Sequence, residues 1–480
     1  MSQQSLSRRR FLQLSAMGGV SLLAACGSTS TPPAPTTAPA ASAATDAPAA
    51  PTTAAAAAPT TAPTTNSAAL SGEITYMTYD VGPANASREE AVKVFQDQNP
   101  GTTIKLEVLP YGDMFTKLAA QMSTNQGPDV IYGDFSLLTY ALGGQLLDLT
   151  ELVRGDSTLT QANLFTTAID DPIQAKYGTE SIYALTMGTW VPILYYNRDL
   201  FDAAGVAYPT EDWTWEDLRT AAKTLTKPDA QEYGVQIGNR YDLLGWLWWS
   251  QQPENFWADP QVFPKRANFS NDTGLEYFRL IQNLAAVDKS LIPQAEADSY
   301  QMYGGGFAAG KVAMYSGGDW DAGWSFRELE FNWGMSFIPM MKAGYRPALN
   351  TMVSTNVINA GTRNQDLAWA FIRFLSATEE GQTLIGKGAY ETPVLASVAT
   401  SSAVLEPEWG APGYDTRIRA AQLPGEMFTP YPLNLNLWEF NDKFYLPVMD
   451  RLEMGEITPE EAVAELDRDG TPYFAQQQRT

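Results

Sequence analysis

Not one histidine occurs in the 480 residues of this chain, and that absence narrows the chemistry before any motif is read. Without imidazole there is no Ser-His-Asp or Cys-His relay and no histidine-based zinc site. Carboxylate chemistry stays open: among 54 Asp and Glu, two flanking a glycosidic bond could hydrolyse it. Nothing in the spacing singles out such a pair. No D-x-[DN]-x-[DN]-G calcium loop is present, and no metal or cofactor is expected. The other abundant resource is aromatic, 13 Trp and 22 Tyr. Such rings mostly fill cores, and some can lay a flat apolar face against a ligand.

The chain opens with charge. Ser7-Arg8-Arg9-Arg10-Phe11-Leu12 precedes an apolar run from Leu14 to Ala25, about half the ~20 residues needed to span a bilayer. A basic start, a short apolar middle and small residues before a cut site mark an export signal. Arg8 and Arg9 lie in a segment that resembles the bacterial twin-arginine signal. Leu23-Ala24-Ala25-Cys26-Gly27 resembles a lipobox, which implies that Cys26, the chain's one cysteine, is lipidated and becomes the new N-terminus. A lone cysteine leaves no disulfide to form.

Residues 27–70 are almost wholly Ala, Thr, Pro and Ser and have too few large apolar side chains to bury. Extended at about 3.1 Å per residue, this stretch reaches at most ~136 Å. It reads as a tether, either a plain spacer or a glycosylated stalk. Residues 1–25 are therefore assigned to the signal and 26–70 to the lipidated cysteine and linker.

About 410 residues remain, more than the ~250–300 that one core usually serves, so two lobes are expected. Removal of residues 1–25 takes away three arginines and no acids, leaving a net charge of −26. Nucleic acid is excluded as a natural partner, because its backbone calls for Lys and Arg. Membrane attachment through basic patches is excluded on the same ground.

The elements that would position a site alternate. GEITYMTYD (72–80) reads as a strand. A helix follows, with Ser87 as N-cap, Glu90 three residues on, and a stop at Asn99-Pro100-Gly101. TTIKLEVL (102–109) is a second strand. The next helix places Phe115, Leu118, Ala119 and Met122 on one face, and PDVIYGD (128–134) is a third strand. Strand and helix alternating with short links predict a parallel α/β sheet. Farther on, residues 183–201 form a long β-rich run, and Thr214-Trp215-Glu216-Asp217 reads as a capping box before a helix burying Leu218, Ala221, Ala222 and Leu225. Strands are expected at 233–238, in GKVAMYSGGDW and in NWGMSFIPM. A helix is expected over 364–381 with Leu367, Ala370, Phe371, Phe374 and Leu375 buried, and a last one is capped by Thr458 with Pro459 at its first position.

The order of these segments resembles the extracellular solute-binding proteins of ABC importers, in the sugar and oligosaccharide branch similar to maltodextrin-binding protein. The resemblance covers nearly all of 72–480. It rests on VFQDQNPGTTIKLEVLPYGDMFTKLAAQMSTNQGPDVIYGD, GTWVPILYYNRDLFDAAGV with WTWEDLRTAAKTL, FAAGKVAMYSGGDW, DLAWAFIRFLSATEEGQ and EITPEEAVAEL. It implies an α/β, two-lobed periplasmic-binding-protein fold of the class II type, with crossings near 185–193, 311–318 and 360–366. Residues 72–187 and 315–362 would form one lobe, and 188–314 and 363–480 the other. A ligand would be held in the cleft between them.

The same resemblance implies the site. Tyr79 and Asp80 after the first strand, Asp134 after the third, Trp190 at the first crossing, and Asp319 and Trp320 after the second would meet the ligand. LLGWLWWSQQPENFW offers Trp246, Trp248 and Trp249; helical spacing sends two to the core and leaves Trp249 for the ligand. Glu391 and Trp438 are further candidates, while Asp129 is expected to orient backbone. The first loop, MTYDVGPAN, lacks the Trp and Lys of the maltodextrin-binding pattern, so maltodextrin itself is not implied. The expected protein is a monomeric, non-enzymatic receptor outside the cytoplasm, held at the outer face of the membrane by Cys26 and serving a transporter permease. The alternatives are a secreted glycoside hydrolase, or the same fold binding a non-sugar solute.

Overall fold

A computed structural model describes residues 69–477, apart from 125, 134–136, 138, 160–180, 239–256, 260–264, 301–303, 345–351 and 423–436. Its strands are β1 (Gly72–Tyr79), β2 (Thr102–Leu109), β3 (Val130–Gly133), β4 (Ala184–Trp190), β5 (Pro192–Asn197), β6 (Tyr233–Ile237), β7 (Ala258–Asp259), β8 (Arg266–Ala267), β9 (Val312–Gly318), β10 (Trp333–Phe337), β11 (Met352–Ile358) and β12 (Thr392–Pro393). They form two main sheets, one in the order β12-β4-β11-β3-β1-β2 and one in the order β10-β5-β9-β6, with β7 and β8 as a small separate pair.

In the first sheet β1 runs parallel to β2 and β3, as the strand-helix alternation predicts. β11 then pairs antiparallel with both β3 and β4. The second sheet mixes antiparallel β10-β5-β9 with parallel β6-β9. Each sheet carries its own core, so the chain folds into two α/β lobes. β5 shows how: Leu194 and Tyr196 enter one apolar cluster, while Ile193 and Tyr195 enter another on the opposite face. Successive side chains of a strand point to opposite faces, and here both faces are covered, so an unbroken apolar run is what the position demands.

The lobes meet at a crossing of one residue, because β4 ends at Trp190, β5 begins at Pro192 and Val191 alone lies between. This falls inside the expected 185–193. The other two crossings do not fall where expected. β9 pairs along most of its length with β5 and β6, so 311–318 lies within the second sheet. The helix Gln365–Ala377 buries Leu367, Phe371, Phe374 and Leu375 in the first core, so 360–366 is not a crossing either. The second crossing runs instead between β10 and β11. The third lies between Val404, still in the first core, and Tyr414, in a core of the second lobe. Residues 315–337 thus belong with the second lobe and 365–404 with the first, the reverse of the expected division.

Local signals also meet mixed outcomes. The capping box forms at Thr214, whose side chain accepts from the Asp217 N–H while Asp217 accepts from the Thr214 N–H. Thr458 and Glu461 do the same before Pro459–Gln477. Ser87 is not an N-cap: the helix Asn85–Gln98 starts two residues earlier. Asp80 accepts from the Gly82 N–H and the Asn85 amide and so winds the chain into the helix before Ser87 is reached. In Tyr111–Met122 the buried residues are Met114, Leu118 and Met122, with Phe115 half-buried and Ala119 exposed.

Candidate functional site

The seam between the lobes is built around Val191. Asp319, the first residue after β9, donates its N–H to the Val191 carbonyl at 2.9 Å and accepts the Val191 N–H on Oδ1 at 3.0 Å. Its Oδ2 accepts from the Thr392 hydroxyl of β12 at 3.0 Å and lies 3.1 Å from the Arg417 guanidinium. Neither charged side chain of that pair reaches solvent. One carboxylate therefore ties the first crossing, a strand of the first sheet, the end of β9 in the second sheet, and the helix Thr416–Ala421. Burial pushes the Asp319 carboxyl up, against the pull of Arg417 and of the Val191 and Thr392 donors. Asp319 is thus spent on protein groups rather than offered to a ligand.

Aromatic rings line the same seam. Trp190 is buried and donates its indole N–H to the Tyr390 carbonyl at 3.0 Å. Its ring meets Tyr390 edge-on at 5.8 Å and Trp320 at 6.0 Å. Trp320 is half-buried and packs against the cores of both lobes. The indole folds back over the end of its own strand, and this needs glycine at 318, where a Cβ would lie 2.1 Å from the ring. One helical turn on, half-buried Trp324 meets Tyr390 at 6.3 Å and covers Gly82, whose φ of +59° and 2.4 Å approach to the indole both exclude a side chain.

A second cluster stands at the C-terminal ends of the parallel strands, the edge where open α/β sheets receive ligands. Tyr79 is buried and meets Tyr111 at 5.0 Å and Tyr132 at 5.1 Å, and Tyr111 is 43% exposed. Behind them Arg88 lies 3.8 Å over the Tyr132 ring and donates to Thr78 and, at 2.6 Å, to Glu391. Tyr132 donates to the same Glu391 oxygen. Burial drives the Tyr132 hydroxyl well above its ordinary range, so it stays a donor. Glu391 is 2% exposed and engaged inside the first lobe. It lies just before β12 and two residues after Ala389, held at φ +57°, a left-handed turn that costs a non-glycine residue about 1–2 kcal/mol.

The structure brings Trp190, Asp319 and Trp320 to one seam and places Tyr79 and Glu391 in the cluster inside the first lobe; of these five only Trp320 is half-buried rather than buried. Asp80 is exposed and caps the turn after β1. Asp129 orients backbone, accepting from the Thr75 N–H and the Thr362 hydroxyl. Asp134, Trp246, Trp248, Trp249, Cys26, Arg8 and Arg9 lie outside the described residues, as does the side chain of Trp438. Sequence reasoning missed Trp324, although DWDAGW places it one helical turn from Trp320. It also missed Tyr111, which follows the last residue pair of a strand edge, and the two arginines, which nothing local announces. Among the described residues no group of His, Cys, Asp and Glu could hold a metal ion.

Two α/β lobes, a hinge of crossings and an aromatic seam between them define a two-lobed binding protein of the periplasmic type. The chain belongs to the bacterial extracellular solute-binding protein family, whose model matches residues 80–382. It is 27% identical over 150 residues to a putative binding protein of Brucella abortus (strain 2308), a match spanning 31% of this chain and about a third of that relative. It is 21% identical over 331 residues to the galactooligosaccharide-binding protein of Bacillus subtilis (strain 168), across 67% of this chain and 72% of that one. Among solved structures, an ABC substrate-binding protein of Listeria monocytogenes in complex with cycloalternan superposes with a TM-score of 0.69 at 21% identity, covering 85% of this chain and 99% of the other. That likeness confirms the two-lobed fold.

Proposed function

We propose that this chain captures a sugar or oligosaccharide between its lobes and delivers it to the permease of an ABC importer, without chemistry on the sugar. The observation that carries this reading is Trp320, a half-buried indole against both cores beside the hinge. A ring so placed is covered or uncovered as lobes move about a hinge, a known structural class of switching. Sugars present flat C–H faces and hydroxyls, and pockets for such ligands pair apolar walls with a few polar groups. Trp320, Trp324 and the Tyr79-Tyr111 pair supply the walls. Asp80, Asp134, Trp249 and Trp438 complete the contact set on the strength of the family resemblance. The names of the Bacillus and Listeria relatives, a galactooligosaccharide binder and a cycloalternan complex, support the ligand class. Export on the residue 1–25 signal and a lipid on Cys26 would hold the receptor at the outer face of the cell membrane.

The test is a melting-temperature screen of the full chain against mono- and oligosaccharides, with product analysis of every hit. A ligand that binds only the native state at a hundredfold excess over Kd stabilises it by about 2.7 kcal/mol. A saturable shift with intact sugar supports the reading. Cleaved sugar replaces it with a hydrolase, and a shift only with non-sugar solutes replaces the ligand class.

A further inference from the structure

Two residues beyond Asp319 stands a second carboxylate that the binding site does not use. Asp321 has no solvent exposure. Its Oδ2 accepts from the Tyr315 hydroxyl at 3.1 Å and from the Gly318 N–H at 3.2 Å, while its Oδ1 is buried with no hydrogen-bond partner. Asp319 and Asp321 are both buried in this turn, and the buried guanidinium of Arg417, reaching in from the helix Thr416–Ala421, is bound to Asp319, while no ion pair among the described residues engages Asp321. Burying a second, unpaired negative charge is costly, and a group so placed takes up a proton instead.

The turn itself is mechanically placed. Asp319 on one side clasps Val191 and Thr392. On the other side Ala322–Phe326 follows directly, with its N–H at Ala322 on the Tyr195 hydroxyl and Trp324 against Gly82 of the first lobe. We propose that Asp321 is the proton-bearing member of a carboxylate pair built into the hinge, so that the clasp between the lobes is tight when it is neutral and loosened when it ionises. This goes beyond ligand capture and does not depend on which solute is bound.

The groups facing Asp321 agree with this assignment. From β9 comes Tyr315; from β5 comes Tyr195, whose hydroxyl donates to the Gly318 carbonyl; from its own turn comes Asp319, backed by Arg417 and Thr392. Burial pushes the Asp321 carboxyl up to about 7, with Asp319 adding to the rise and Tyr315 and Gly318 opposing it. Because the chain has no histidine, no imidazole titrates in the same window.

The sign follows from linkage. A carboxyl whose pKa is raised in the clasped state binds its proton more tightly there, so that state is favoured at low pH and loses ground as pH rises from about 4 through about 7. The experiment is to follow melting temperature and radius of gyration of the full chain, without ligand, from about pH 5.5 to about pH 8.5 in wild type, Asp321→Asn and Tyr315→Phe. Wild type should lose about 3 °C and expand across the window. Asp321→Asn should be flat, and Tyr315→Phe, which lacks an opposing donor, should shift the transition to higher pH. A flat wild type, or an Asp321→Asn chain with the wild-type slope, overturns the proposal. Should the Asn variant not fold, infrared difference spectra of the native chain decide: a protonated carboxyl band at about pH 6 that fades by about pH 8.5 supports the assignment, and its absence at about pH 6 refutes it.

Discussion

The indoles of Trp190 and Trp320 meet edge-on at 6.0 Å, one on each side of a crossing a single residue long. The two rings differ in what surrounds them. Trp190 is 3% exposed and hydrogen-bonded through its N–H, whereas Trp320 is half-buried.

The pair should therefore separate stability from affinity. Trp190→Ala empties a buried site and should cost about 3–5 kcal/mol of stability. Trp320→Ala should cost far less stability but weaken binding of a sugar found in the screen about 10-fold or more, some 1.4 kcal/mol. Thermal melts beside calorimetric titrations read both. Equal loss of affinity and stability in the two variants would return Trp320 to the core.

Glu391 was expected at the ligand and is instead held by Arg88 and Tyr132. Glu391→Ala leaves a buried guanidinium unpaired and should destabilise the domain by about 3–5 kcal/mol. The double change Arg88→Met with Glu391→Leu should recover much of that, since an apolar pair carries no desolvation cost. Urea unfolding of the single and double variants checks this, and equal losses would contradict it.

Acid should act on the chain in the opposite sense to the hinge. Burial pushes the Asp156 carboxyl up, but hydrogen bonds from Arg373 and Thr158 win and hold it below its ordinary range. A depressed carboxyl contributes stability that is present above its unfolded pKa, 3.8, and is lost as pH falls through the folded value. Asp156→Asn should flatten the decline of melting temperature below about pH 4 and leave the neutral range unchanged. A wild-type slope in that variant would assign the acid limb to other carboxylates.

The proposed lipid anchor makes a cellular prediction. Cys26→Ala should move the protein from the membrane fraction to the soluble extracytoplasmic fraction, because a protein without its lipid chains has lost the anchor. Retention in the membrane pellet would contradict lipidation at Cys26.

What contiguous residues could settle was legible in the sequence. The exclusion of imidazole chemistry depends on composition alone. The first strands and the boxes at Thr214 and Thr458 depend on neighbours within one or two turns. Where even a local reading slipped, at Ser87, the cause was a competing local bond, donated by the Asn85 amide to the Asp80 carboxylate.

The division of the lobes and the work of the carboxylates were decided by partners far along the chain. Glu391 meets Arg88 across 303 positions, and Asp319 meets Arg417 across 98. No periodicity records such a pairing. A carboxylate at the end of a strand looks the same in sequence whether it faces a ligand or a buried guanidinium, and only the packing of the two sheets around Val191 decides whether water, sugar or arginine fills the space beside it.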